Sequence, residues 1–364
     1  MIIADYFHGR DGLGGASATH PQHHPPSDTW SHLFDKPPME TPLTQAVKEA
    51  TNGKLSRFDL FTPSPLPAHL EILRLLKENP PNTITIIAIG PLTNCAIAAA
   101  EDATTFLRVK ELLFMGGAVD CPGNITPVAE FNILADPLAA ARVLSLTGEV
   151  PGCTLPTGLA EQVAYGTSKL EEQKRLSLKL FPLDVTTTHT LSAAQFQSVT
   201  APLKAKGSPL AEWTSAILTP TFQKMIDLHE EGKQHEGEGI DRREGDLSLH
   251  DPMCVWFALA SERRDEWRMT EGEDIRVETQ GQWTRGMCVV DKRGRKMKGD
   301  VVAGDLQESK PKVGQEEQSD DEGEAGGDEG GWLNRKRGNR VDRCMSTPGQ
   351  EKLAEMLLER VFGS

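Results

Sequence analysis

Residues 82–137 read NTITIIAIGPLTNCAIAAAEDATTFLRVKELLFMGGAVDCPGNITPVAEFNILADP, and the order of elements in this stretch decides the fold. Residues 83–89 are a short β-branched run ending at Gly90-Pro91, the pattern of a buried parallel strand entering a turn. Apolar residues then recur at helical spacing over 94–108, and 111–115 form a second apolar run stopped by Gly116-Gly117. The order is strand, helix, strand. The loop that follows holds Asn124, Glu130 and Asn132 before Asp136-Pro137 opens another helix. Open α/β sheets bind ligands just beyond the carboxyl ends of their strands, so this loop is the candidate site.

A chain of 364 residues can bury a large core, and one α/β domain over residues 1–364 is favoured over two smaller ones. The net charge is −14, and residues 304–331 alone carry ten acidic residues against two lysines. The rest is therefore only mildly acidic. Such a surface lacks the basic face that nucleic acid requires and suits a small neutral substrate. The six cysteines (95, 121, 153, 254, 288 and 344) show no CxxC pair or zinc spacing and read as reduced, mostly buried thiols. No apolar run approaches the ~18 residues of a membrane span. The first residues, MIIADYFHGRDGLGG, lack the charged and apolar regions of a signal peptide. A cytoplasmic protein with access to the nucleus is expected, with no membrane or nucleic-acid partner and a homo-oligomer left open.

Outside the opening stretch the pattern is less even. HGRDGLGG (8–15) is a glycine-rich loop, and residues 16–67 are a Pro/His-rich irregular segment. Its His20, His23 and His24 lie among prolines with no spacing that would gather them round one ion, so a loop is the better reading. An amphipathic helix is expected over 67–78 and a further helix over 137–146. Residues 150–179 read as an insertion, and 180–185 (LFPLDV) as a strand followed by the polar turn TTTHTLS, where His189 either faces a pocket or caps a helix. A helix over 209–229 carries Trp213 and Phe222 on a stripe that reads chiefly as core. LHDPMCVWFAL (249–259) places a His-Asp pair at the start of an apolar helix. Two antiparallel strands are expected over 275–290, and a short strand and an amphipathic helix at the end. The acidic 304–331 segment cannot bury enough apolar surface to fold and reads as a disordered surface loop.

The segments IAIGPLTN, LLFMGGA, GNITPVAEFNILADP and LHDPMCVWFAL, in this order and spacing, resemble the inosine/uridine-preferring nucleoside hydrolases, which cut the N-glycosidic bond of ribonucleosides. The resemblance runs from about His8 to the end of the chain. It implies an open, mainly parallel Rossmann-like sheet flanked by helices. It implies ribose binding by Met115, Asn124, Glu130 and Asn132, and a role for His250 on the leaving-group side, as proton donor or hydrogen-bond partner of the base. It implies a calcium ion held by Asp251 and the backbone carbonyl of Ile89. Nucleoside salvage is the implied role, with a ribonucleoside as partner. Trp213 and Phe222 lie where the family covers the base.

The family begins with a strand ending in a DxDPGxDD motif, whose carboxylates bind calcium and activate water, and that motif is absent here. The acidic residues 319–329 cannot replace it, since they follow no strand and fail the EF-hand pattern. Calcium takes ~6–8 oxygen ligands, so one carboxylate and one carbonyl leave its site incomplete. The abrupt start favours an incomplete gene product over loss of the motif. With the first strand missing, the next is expected to expose backbone donors and acceptors. The polypeptide as written is expected to be weak or inactive, and a non-catalytic nucleoside- or ribose-binding relative is the alternative.

Overall fold

The computed structural model describes residues 8–21, 64, 66–156, 174–233, 245–260, 263–294, 328–334 and 336–363. In chain order, the elements begin with α1 (Ala16–Thr19), α2 (Ala68–Glu78), β1 (Thr85–Ala88), α3 (Thr93–Glu101), α4 (Ala103–Phe106) and β2 (Glu111–Met115). They continue with α5 (Phe131–Ala135), α6 (Pro137–Ser145), β3 (Leu178–Phe181), α7 (Leu183–Thr186), β4 (Thr190–Leu191), α8 (Ala193–Ala205), α9 (Pro209–Lys233), β5 (Leu247–Ser248) and α10 (His250–Leu259). The chain closes with β6 (Arg268–Glu273), β7 (Arg276–Val277), β8 (Cys288–Val289), β9 (Val341–Ser346) and α11 (Gln350–Phe362). The described residues fall into two compact units, one drawn from Met1–Glu78, His189–Leu249 and Gln350–Ser364, the other from Asn79–Thr188 and His250–Gly349.

The second unit contains the main sheet, in the order β1-β2-β3-β9-β6. β1, β2, β3 and β9 run parallel, and β6 pairs with β9 antiparallel. An open, mainly parallel sheet with helical crossovers is what the alternation of strand and helix in the sequence implies. β2 is buried at all five positions because sheet neighbours lie on both sides and helices cover its faces, which is why it reads as a continuous apolar run. Its one charged residue, Glu111, is answered by the guanidinium of Arg264 at 2.8 and 3.0 Å. Phe181 of β3 meets Phe257 of α10, ring centroids 5.2 Å apart, and Trp267 stands edge-on to Phe257 at 5.1 Å. These contacts seat α10 on the sheet.

Three sequence expectations need correction in this unit. β1 is parallel but sits at the sheet's edge, where Ile87 is 37% exposed, so it is a half-covered strand and not a buried one. No strand pairs with its outer side among the described residues. The run at 180–185 is not one strand: β3 starts earlier, at Leu178, inside the supposed insertion, and stops before Pro182, which has no N–H for a ladder and instead precedes the short helix α7. The acidic stretch is packed at its far end: Asp328 is 4% exposed, accepts from Leu333 N at 2.9 Å and pairs with Arg293. Residues 304–327 of that stretch, 22–63 of the Pro/His-rich segment (with His23 and His24) and 157–173 of the supposed insertion lie outside the described residues.

The first unit is built on α8, α9 and α11. Phe196 of α8 packs on Phe222 of α9 at 5.9 Å and on Phe362 of α11 at 6.2 Å. Phe222 is 4% exposed, a core residue. His189 is 1% exposed and its carbonyl accepts from Leu249 N at 2.8 Å where β4 meets β5. In the HGRDGLGG loop one carboxylate gathers three amides: Asp11 accepts from Leu13 N and Gly15 N at 3.0 Å and from Ser17 N at 2.9 Å. The loop closes on its own aspartate.

Candidate functional site

The site is built at the carboxyl ends of β1, β2 and β3, within the second unit. β2 ends at Met115, and Gly116 N donates to Phe181 O at 3.3 Å, extending the β2–β3 pairing by one step. Gly117 then turns the chain at φ 82° and accepts from Leu183 N through its carbonyl at 2.9 Å. Only glycine suits this turn, because the backbone is left-handed and an added Cβ would stand 2.9 Å from Cys288 Sγ. Beyond it, the Asp184 carboxylate receives Val119 N at 3.0 Å and Asp120 N at 2.6 Å. Arg343 of β9 reaches up to Asp120 at 2.6 Å and to Glu273 at 2.7 Å. Burial alone would lower the Arg343 pKa, and these carboxylates outweigh it and hold the guanidinium charged.

On this platform the structure brings together three of the four expected sugar-binding residues. Glu130 caps α5: it accepts from Asn132 N at 2.8 Å, Ile133 N at 3.1 Å and Gly117 N at 2.9 Å. At 2% exposed it is a buried carboxylate whose pKa burial pushes above the ordinary range, with the three amides pulling down and the charge of Asp251 pushing further up. Asn132, 8% exposed, donates through Nδ2 to Met115 O at 3.0 Å and lies 3.5 Å from Met115 Sδ. Among the described residues its Oδ1 accepts no hydrogen bond. Asn124, the fourth, is exposed, and its Oδ1 accepts from Phe131 N at 3.0 Å.

His250 and Asp251 open α10, as the sequence implies. The His250 ring is fixed from below by Thr186, whose Oγ1 is 2.7 Å from Nδ1. Asp251 is exposed over its surface, and the protein packed around its carboxyl still raises its pKa by desolvation. Its influence on Glu130 places the two carboxylates within electrostatic reach of one another. Ile89 follows β1 at the same edge of the sheet and is 47% exposed. Among the described residues no group of three or more His, Cys, Asp or Glu side chains is placed to hold a metal ion. One carboxylate and one carbonyl do not fit a calcium ion, which needs about six oxygens or more.

Sequence reasoning missed Asp184, Thr186 and Arg343. Asp184 and Thr186 lay in a run misread as strand and turn, and the only signal was their place just past the end of β3. Arg343 pairs with residues 70 and 223 positions away, which no local pattern reveals.

The profile of the inosine-uridine preferring nucleoside hydrolases matches residues 1–316. The chain belongs to that family. This nucleoside hydrolase family member is 31% identical over 220 residues to an uncharacterized protein of Schizosaccharomyces pombe, covering 60% of this chain and 55% of that one. It is 27% identical to a non-specific ribonucleoside hydrolase of Klebsiella pneumoniae over 71% of this chain and 68% of the relative. With a pyrimidine-specific ribonucleoside hydrolase of Citrobacter koseri it shares 26% identity over 80% and 65%. The chain thus spans between about half and two thirds of the length of these curated relatives. A plant nucleoside hydrolase shares its fold with a TM-score of 0.54 at 19% identity, over 100% of this chain and 76% of that one. A purine-preferring ribonucleoside hydrolase from Gardnerella vaginalis does so at 0.51 and 16% identity, over 90% and 77%. No described helix is long and apolar enough to cross a membrane.

Proposed function

We propose that this protein hydrolyses the N-glycosidic bond of ribonucleosides to ribose and free base, in nucleoside salvage, and that the polypeptide on its own does so slowly. The observation that carries this reading is the Asn132 amide, anchored to the Met115 carbonyl with its oxygen left open beside a buried carboxylate. A ribose hydroxyl is a donor of the kind that oxygen accepts. Cleavage builds positive charge on the sugar ring, which a nearby buried Glu130 would stabilise. His250, fixed through one ring nitrogen, serves the departing base. Met115 and Asn124 complete the sugar contacts. Asp251 and the Ile89 carbonyl are the groups that would contribute to a calcium site, and by themselves they are too few to hold the ion. Relatives described as non-specific, pyrimidine-specific and purine-preferring all match, so both base classes are proposed as substrates, with inosine and uridine as first examples.

Calorimetric titration with uridine, ribose and uracil tests the sugar-held reading. Uridine and ribose should bind and uracil alone should not; binding of uracil with no binding of ribose would overturn it. The second reading, a nucleoside-binding protein without turnover, draws on the small number of metal-binding groups among the described residues. It is favoured if uridine binds and no ribose appears.

A further inference from the structure

Three consecutive threonines close α7: Thr186 is its last residue, and Thr187 and Thr188 follow it. Two of them use their hydroxyls as helix-end threonines commonly do, Thr187 Oγ1 donating to Leu183 O at 2.7 Å and Thr188 Oγ1 to Val185 O at 2.8 Å. Thr186 departs from this pattern. It is fully buried, and its Oγ1 lies 2.7 Å from His250 Nδ1, 64 residues further along the chain. We propose that Thr186 is a positioning residue that sets which nitrogen of the His250 ring carries the proton, holding the neutral ring in its Nε2–H form.

The physical reason is hydrogen-bond satisfaction. A threonine hydroxyl always has one proton to donate, whereas a neutral imidazole has one donor nitrogen and one acceptor nitrogen. Among the described residues, His250 Nδ1 is the only partner of the Thr186 hydroxyl. If Nδ1 carried the ring proton and donated it to Oγ1, the hydroxyl proton would be buried with no acceptor, which costs more than a made bond gains. The hydroxyl therefore donates, Nδ1 accepts, and the ring proton resides on Nε2 at the far side of the ring.

This inference rests on the hydrolase reading for its consequence. A neutral ring with Nε2–H meets the departing base as a hydrogen-bond donor and keeps its proton. Hydrolysis balances without it, since water supplies hydroxyl to the sugar carbon and a proton to the base. Thr186 thus fixes both the orientation of the ring and the sign of the contact it offers.

The test uses the full chain with 15N-labelled histidine, whose ring-nitrogen shifts also tell a neutral imidazole from a charged one. Long-range proton–nitrogen correlation spectra separate protonated from unprotonated ring nitrogens, and the spectrum of H250Q identifies His250 among the ten histidines. An unprotonated Nδ1 is expected in the wild type and in T186S, with the T186V ring shifting toward the Nδ1–H form. T186V should also weaken uridine binding about tenfold, the loss of one hydrogen bond, and leave ribose binding unchanged. A protonated Nδ1 in the wild type, or a T186V spectrum identical to wild type, would overturn the proposal. The ligand-free spectrum decides it without turnover. Absence of uridine binding alongside the expected spectrum would therefore overturn the hydrolase reading and support the role of Thr186.

Discussion

Arg343 and Asp120 meet at 2.6 Å although 223 residues separate them, and their contact ties the loop after β2 to the centre of the sheet. The same guanidinium holds Glu273 at 2.7 and 2.9 Å. Replacing it with alanine takes from Glu273 its guanidinium partner, while Asp120, half exposed, keeps Lys292 at 3.0 Å. A loss of about 3 kcal/mol is expected, since removing one partner of a buried pair leaves the other charge uncompensated. Arg343→Ala and Arg343→Met, compared by urea unfolding, check this. Asp120 is half exposed, so Asp120→Asn should cost far less than either.

The Asp184 carboxylate is the second anchor of that loop. Asp184→Ala should release the Val119 and Asp120 amides, which now end on it at 3.0 and 2.6 Å. Their hydrogen-exchange protection should fall while that of β2 amides such as Leu113 is retained, because β2 is held by β1 and β3 and not by Asp184. Equal loss in both places would mean that Asp184 supports the whole sheet.

Glu130 receives three backbone amides, and a glutamine cannot accept them all because one of its terminal atoms is a donor. Glu130→Gln is expected to cost roughly 1–3 kcal/mol, the range for leaving buried donors unpaired. Denaturant unfolding measures it. An unchanged midpoint would show that the cap contributes nothing to folding.

Asp11 predicts a pH response in the first unit. Its carboxyl is held well below the usual carboxylate range, chiefly by the Ser17 amide, then by Leu13 and Gly15. A depressed pKa means that the unfolded loop binds its proton first as pH falls. The stabilisation is fully present above about pH 4, the ordinary aspartate value, and is lost progressively at lower pH down through the folded value. The Ser17 amide resonance should hold steady from pH 7 to 5 and move only in strong acid, and in Asp11→Asn it should start from the altered position at every pH.

Parts of this fold can be read from the sequence because they are local. β2 shows as LLFM before a double glycine, and Asp136-Pro137 marks the start of α6, where Asp136 indeed accepts from Ala139 N at 3.0 Å. Sheet order is not local. β9 enters between β3 and β6 from far downstream, and nothing in VDRCMS states its neighbours. Whether β1 is buried depends on what lies beside it, so its apolar run looked like a central strand although it stands at the edge. The same limit governs the site. Family motifs carried Asn132, Glu130 and His250, while Thr186, which meets the His250 ring, and Asp184, which anchors the loop after β2, sit in a segment whose strand-like composition hid a turn broken by Pro182.

The most direct measurement is product analysis of uridine and inosine incubated with the purified chain in 18O-labelled water. Slow formation of ribose and base in equal amounts is expected, with the label in ribose and none in the base, since water supplies the new sugar oxygen. Contradiction would come from nucleoside that binds and is recovered intact, with no ribose above the protein-free control.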